Sequence, residues 1–153
     1  GRRINFRKLV MFESIILTLA IWFSLFTPTD FKGHPMSFNL PEVKIGEVIF
    51  KIEIVASPEA HARGLSGRAS LPLNKAMFFD FVVPSRPGFW MKEMNFPIDI
   101  VWLNADCQIV DLTENFTPES YPQVIFPKSA VKYVLEINAG LIKKYGFTVK
   151  VAP

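Results

Sequence analysis

The sequence predicts a mainly β domain, a compact antiparallel β-sandwich or flattened barrel with two short helices, preceded by one N-terminal transmembrane helix. Three observations lead to this prediction. Several segments alternate between apolar and polar residues, which is the period of a half-buried strand. The two segments that carry helix-capping signals are both short. One apolar run near the N-terminus is close to the length needed to cross a membrane and follows a basic cluster.

The apolar run spans residues 9–26 and follows a basic tail, residues 1–8. In a helix such a run extends about 27 Å, close to the about 30 Å of a hydrocarbon core. A cleaved signal peptide is the alternative, but bulky residues before Pro28 leave no convincing small-residue cleavage site. An uncleaved anchor is therefore favoured. Because basic residues stay on the cytoplasmic side, the domain is expected outside the cytoplasm, on a single-pass membrane protein.

The distribution of charge argues against a nucleic-acid partner. The net charge is +3, but four of the 17 basic residues and one of the 14 acidic residues precede Ser14. That leaves 13 of each sign in the rest of the chain, and no basic patch with interleaved aromatic residues is visible there. The excess positive charge therefore belongs to the membrane-flanking tail.

The domain is expected over residues 42–153, after a linker at residues 27–41 that contains three prolines. Segments with strand periodicity follow one another along it. Residues 98–103 are apolar on both faces apart from Asp99, as in a central strand. Pro84 is predicted to end the strand before it. The predicted strands are 43–45, 48–55, 77–83, 89–92, 98–103, 107–113, 131–137 and 147–151.

Two short helices and one long loop complete the predicted domain. Ser57 is a good N-cap and Pro58 suits the first position of a helix. Asn138 is predicted to cap a second helix that Gly146 ends. Residues 114–130 contain three prolines and are predicted to form a loop.

Four separated motifs point to a known family. They are Arg-Gly-Leu-Ser-Gly-Arg at 63–68 with Leu-Pro at 71–72, Met-Phe-Phe at 77–79, Phe-Trp-Met-Lys-Glu-Met at 89–94 with Phe-Pro-Ile-Asp at 96–99, and Tyr-Val-Leu-Glu-Ile-Asn-Ala-Gly at 133–140. With these motifs the chain resembles the DUF192 family of bacteria and archaea over about residues 43 to 151. The resemblance implies a compact, mainly β domain, often behind a signal or anchor segment, and it implies no biochemical role. Ala76 stands where the family often has glycine.

Asp99 is the least expected residue of the predicted central strand, because a buried carboxylate must be paired or neutralised. Arg63, from the first helix, is its expected partner. The pair is either a clamp that holds the helix on the sheet or part of a binding site.

Trp90 and Lys92 lie in a short segment rich in aromatic and thioether side chains. The segment is either core with Lys92 reaching solvent, or an apolar pocket with one polar group. Glu136 is expected at a solvated edge or opposite Lys92 on a neighbouring strand. The candidate ligand-binding residues are Arg63, Trp90, Lys92, Asp99 and Glu136.

No metal or cofactor is expected, because the two histidines, His34 and His61, lack ligand-spaced companions and no nucleotide-binding motif occurs. Two classes of function remain. The favoured one is a non-catalytic accessory module that binds a small molecule or a protein partner. The alternative is a small hydrolase-like enzyme that uses Asp99, Lys92 and Glu136, which requires these three side chains to converge on one pocket.

The anchor prediction has a direct test. The N-terminus of the mature protein, read by mass spectrometry from purified membranes, is expected to lie ahead of the apolar run, because no cleavage site follows it. A mature chain that starts between Thr27 and Gly33 would contradict an uncleaved anchor.

Overall fold

The fold comes from a computed structural model that describes residues 40–149. The predicted basic tail, transmembrane anchor and most of the linker lie outside these residues. Within them, neither helix has the length and apolar character of a membrane span.

Eight strands and two short helices make up the domain, so the prediction of a mainly β fold with two short helices is confirmed. A 3₁₀ turn spans Pro118–Ser120. In chain order the elements are β1 (Glu42–Ile45), β2 (Val48–Val55), α1 (Pro58–Arg63), β3 (Lys75–Ser85), β4 (Phe89–Trp90), β5 (Ile98–Leu103), β6 (Ile109–Phe116), β7 (Val124–Ile125), β8 (Val131–Asn138) and α2 (Leu141–Tyr145).

Six of the strands form one open sheet in the order β1-β2-β3-β8-β5-β6, and β4 pairs with β7 in a separate small sheet. The rest of the predicted architecture is corrected in two respects: the large sheet does not close into a barrel, and the pairing is not wholly antiparallel, because β2 and β3 are parallel. A parallel pair needs a crossover connection, and α1 with the loop after it provides one. Alternation reports which residues share a face but not the direction of the neighbouring strand.

The two faces of the large sheet bury different clusters of side chains. We call them the β4 face and the α2 face after the elements that cover them. Ile98, Ile100 and Trp102 of β5 belong to the cluster that includes Phe89 of β4. Val101 and Leu103 pack with Leu141 and Ile142 of α2. All six residues of β5 are buried, which confirms the predicted central strand.

Several predicted element boundaries are wrong. Strand β3 runs through Pro84, where its pairing with β8 is irregular, and such positions tolerate proline. Asn138 ends β8 instead of capping α2, and its amide donates to the carbonyl of Leu71. Gly140 is the N-cap of α2. Residues 147–149 form no strand, and the rest of the predicted last strand lies outside the described residues.

Asp99 is fully buried, but the predicted pair with Arg63 does not form. Its two carboxylate oxygens accept hydrogen bonds from the main-chain N–H groups of Asn115 at 2.8 Å and Ile142 at 2.9 Å. No ion pair found within residues 40–149 includes Asp99, and Arg63 is exposed. Asp99 lies opposite Ile137 in β8, which places it on the α2 face. Backbone donors therefore satisfy this carboxylate without a cation.

Replacement of Asp99 by asparagine is expected to lower the free energy of unfolding by about 2–3 kcal/mol, because one of the two N–H groups would then face another donor. The matched variant Arg63→Gln is expected to change it by less than about 0.5 kcal/mol, as for other exposed positions. Chemical denaturation of the full chain in detergent measures both values. Similar losses in the two variants would contradict this assignment and support an Arg63–Asp99 clamp.

Candidate functional site

A cavity of about 150 Å³ opens on the β4 face, between α1 and β4. Five of the residues that line it carry aromatic side chains, and one carboxyl group lies among them. The lining side chains that the argument uses are His61 of α1, Phe79 and Phe81 of β3, Phe89 and Trp90 of β4, and Glu136 of β8.

Glu136 lies near the centre of the large sheet. Its neighbours across the strands are Met77 of β3 and Ile100 of β5, and only 6% of the residue is exposed. The sequence correctly places Glu136 on the face opposite Leu135. Both predicted environments, a solvated edge and a pair with Lys92, are wrong, because the segments around α1 and β4 cover that face.

The carboxyl of Glu136 is incompletely satisfied. Its Oε2 atom is buried and has no hydrogen-bond partner, the only such side-chain atom found in the described part of the chain. Burial raises the pKa of Glu136 to about 8, and the positive charge of Arg68 offsets only part of this effect. The group is therefore mostly protonated at neutral pH.

Arg68 does not neutralise Glu136 because it is bound to another acid. Its guanidinium donates to both carboxylate oxygens of Glu53, at 3.1 and 2.7 Å. This bidentate bond lowers the pKa of Glu53 and raises that of Arg68. The charge of Arg68 is thus directed mainly at Glu53, on the second strand away from Glu136.

Gly64 brings the main chain close to the Glu136 carboxyl. It is the C-cap of α1, with φ of 49° and ψ of −129°, a conformation that residues with a Cβ rarely adopt. A Cβ built there would lie 3.7 Å from Oε2 of Glu136 and 3.6 Å from Cζ of Phe79, which is ordinary contact. Glycine is therefore required by the backbone conformation and not by lack of space.

The aromatic side chains around the cavity pack against one another. The rings of Phe79 and Phe89 meet edge to face with centroids 5.0 Å apart, and those of His61 and Phe81 lie 4.7 Å apart. The Nε2–H group of His61 donates to the carbonyl of Val55 at 2.9 Å, which holds the imidazole in place. Such mutual packing makes the walls of the cavity well defined.

The structure brings together three of the five predicted site residues. Arg63, Trp90 and Glu136 line the cavity. The side chain of Lys92 is exposed, and its carbonyl accepts a hydrogen bond from the Ser66 hydroxyl at 2.8 Å. Asp99 lies on the opposite face of the sheet. The three side chains that the hydrolase alternative requires therefore do not converge.

Sequence reasoning missed His61 and the phenylalanines of β3 as parts of the site. The available signal was the capped helix α1 followed by Gly64, because a glycine after a helix marks a sharp turn of the chain. In residues 40–149 no cluster of histidine, cysteine and carboxylate side chains is suited to hold a metal ion.

Comparison with known proteins identifies the family of the domain. Residues 42–151 match DUF192, which is described as "Uncharacterized ACR". The chain belongs to the DUF192 family. No curated protein matches this DUF192 chain.

Two solved structures resemble the DUF192 domain. One is a Sinorhizobium meliloti 1021 protein described as a "putative transcription regulator", with a TM-score of 0.63 and 31% identity over 66% of this chain and 78% of that chain. The other is a protein of unknown function from Novosphingobium aromaticivorans DSM 12444, with a TM-score of 0.65 and 26% identity over 75% of this chain and 85% of that chain. The fold is therefore shared with bacterial proteins, and these descriptions establish no activity.

The raised pKa of Glu136 predicts that this carboxyl makes the protein less stable as pH rises. Between its usual value of 4.5 and about 8, the folded state keeps a proton that the unfolded state releases. Relative to Glu136→Gln, the free energy of unfolding of the wild type is expected to fall by up to about 4 kcal/mol from about pH 5 to about pH 8, since each pH unit contributes about 1.4 kcal/mol. Above about pH 8 the difference is expected to level off.

Denaturation curves of both proteins across this pH range measure the effect. The exposed Glu114 provides a matched control, since Glu114→Gln is expected to show no such divergence from the wild type. A pH-independent difference between wild type and Glu136→Gln would contradict the raised pKa.

Proposed function

We propose that this DUF192 domain is a non-catalytic binding module that takes a small molecule into the cavity above Glu136. We also propose that an N-terminal transmembrane helix displays it on the outer side of a membrane. The observation that carries the binding proposal is the buried Oε2 atom of Glu136, which lacks a hydrogen-bond partner beside a cavity.

The energetics of Glu136 favour a functional role. An unsatisfied buried polar group typically costs about 1–3 kcal/mol. The neighbours of Glu136 on the adjacent strands, Met77 and Ile100, are apolar, so an apolar residue would suit the same position if stability alone were at stake. A ligand that forms a hydrogen bond or ion pair with Oε2 would remove this cost. Ligand binding would therefore explain a polar residue at a position where side-chain packing does not require one.

The arrangement supports binding better than catalysis. Hydrolysis by an acid–base pair needs a second group within reach of the first. Lys92 and Asp99 do not line the cavity, and the Nε2–H group of His61 is bonded to a backbone carbonyl. The Ser66 hydroxyl donates to another carbonyl and has no base as its partner. One carboxyl group among aromatic rings is an arrangement typical of a ligand-binding pocket.

The charge of the domain does not favour direct binding to nucleic acid. The similar Sinorhizobium protein is described as a "putative transcription regulator". Residues 40–149 of this chain, however, contain 11 lysines and arginines against 12 aspartates and glutamates. Binding to nucleic acid generally relies on an excess of positive charge, so we propose no nucleic-acid partner.

The membrane part of the proposal is supported by the sequence. The apolar run of residues 9–26, the basic tail before it and the proline-containing linker after it fit a domain tethered by a single helix. A tethered domain would meet its ligand on the outer side of that membrane.

The cavity is expected to bind small molecules from a fragment library, detected by nuclear magnetic resonance on the full chain in detergent. Ala62 is exposed and lines the cavity, so Ala62→Phe should obstruct it and weaken binding at least about tenfold, or about 1.4 kcal/mol. The matched control is Ala69→Phe, because Ala69 is also exposed but does not line the cavity. An absence of ligands, or equal affinity in both variants, would contradict a binding role for this cavity.

A further inference from the structure

We propose that the ligand is a small organic cation, an alkylated or protonated amine whose charge lies at Glu136 and whose alkyl groups contact the aromatic rings. This inference rests on the proposed binding function and adds the chemical class of the ligand. It follows from three features of the cavity: the sign of its available charge, the nature of its walls and its size.

The buried group of the cavity that can become charged is an acid, which is negative once it loses its proton. Among residues 40–149, Glu136 is the only acidic side chain that lines the cavity. Arg68, whose positive charge lowers the pKa of that carboxyl in part, is held by two hydrogen bonds to Glu53. Arg63 lines the cavity but is exposed to solvent, where its charge is screened. A buried carboxylate needs hydrogen-bond donors or a partner of opposite charge, and a cationic ligand would supply that charge at Glu136.

The walls suit the alkyl groups of such a cation. Aromatic rings carry negative charge on their faces and attract ammonium groups, which are held most firmly when water is excluded. Phe79, Phe81 and Phe89 line the cavity, and Trp90, at 45% exposure, lies where the cavity meets solvent. Alkyl groups on the ammonium also gain from contact with these apolar surfaces.

The size of the cavity limits the ligand to a few heavy atoms. Its volume is about 150 Å³. A dry protein cavity of about 150 Å³ is known to hold a molecule the size of benzene. A trimethylammonium group is of comparable size, so it could fill the space beside the carboxyl while the remainder of its molecule extends toward Trp90.

The proposal predicts that affinity rises with pH. The cation must replace the proton on Glu136, so a permanently charged ligand is expected to bind about tenfold more tightly at about pH 9 than at about pH 7, given a pKa of about 8. The other charged or titratable groups near the carboxyl are His61 and Arg63 of α1, and Arg68 with its partner Glu53. The flanking strands β3 and β5 contribute the apolar residues Met77 and Ile100.

Two probes of nearly the same shape test the class of ligand. Choline carries a quaternary ammonium, and 3,3-dimethylbutan-1-ol has a neutral carbon in its place. On the full chain in detergent, titration calorimetry or resonance shifts are expected to show that choline binds at least about tenfold more tightly than the alcohol. The affinity for choline is also expected to rise about tenfold between about pH 7 and about pH 9. Glu136→Gln is expected to remove the preference for choline and the pH dependence, because the charge is lost. Glu114→Gln, at an exposed position, should retain both.

The outcomes separate this inference from the function on which it rests. Equal or tighter binding of the alcohol would contradict a cationic ligand but not a binding function. Fragments that bind in the cavity while choline does not would have the same meaning. Affinity for choline that falls from pH 7 to pH 9 in the wild type would contradict a cationic ligand too, even if Glu136→Gln fails to fold. A cavity that binds nothing would overturn both proposals.

Discussion

The paired strands β5 and β8 are interior strands of the large sheet, and both of its faces are covered there. A polar side chain on either strand must therefore find its partner inside the protein. Each strand carries one buried carboxyl. Asp99 lies opposite Ile137 and Ile100 lies opposite Glu136, so the two acids are close in the ladder but project from opposite faces. The two carboxyl groups differ in their partners, because Asp99 accepts two hydrogen bonds whereas one oxygen of Glu136 has none.

Asp99 is part of the structure itself. Its two oxygens hold the main chain at Asn115, near the end of β6, and at Ile142, in the first turn of α2. The N–H group of Ile142 has no partner within α2, since the first turn of a helix leaves its amides free. The carboxylate therefore fastens two peripheral segments to the central strand. Glu136 fastens nothing comparable, and its free oxygen beside a cavity is the main reason to assign it a role in binding.

The sequence predicts the strands well because alternation is a local signal. The predicted bounds of β2 and β5 agree with the structure. The direction of β3 relative to β2, and the capping of α2 by Gly140 in place of Asn138, were not predicted. Both depend on which segments meet in three dimensions, and that information is spread over distant parts of the chain.

The candidate site was predicted only in part, for a similar reason. Glu136, Arg63 and Trp90 were named because they are polar or aromatic residues in unusual surroundings. The burial of Glu136 depends on α1, its following loop and β4, which are remote in sequence from β8. The partners of Asp99 are backbone amides, which every residue except proline carries, so no sequence pattern reveals them. An acid in a predicted strand thus signals a buried partner without identifying it.

The residues of the β4 face also explain why the Glu136 carboxyl has no paired cation. Glu53, Met77 and Glu136 lie in register on three successive strands, which places the two acids about 10 Å apart. Glu53 is partly exposed and accepts hydrogen bonds from the Nη1 and Nη2 groups of Arg68, so its carboxylate stays ionised. Glu136 is buried and left with the weaker, through-space effect of the same guanidinium, so it keeps its proton. If Arg68 bonded to Glu136 instead, the carboxyl would already be paired and would have nothing to offer a cation. The bond between Glu53 and Arg68 therefore does more than fix a loop to β2: it engages the guanidinium that would otherwise be able to pair with Glu136, and so leaves that carboxyl unpaired for the ligand we propose.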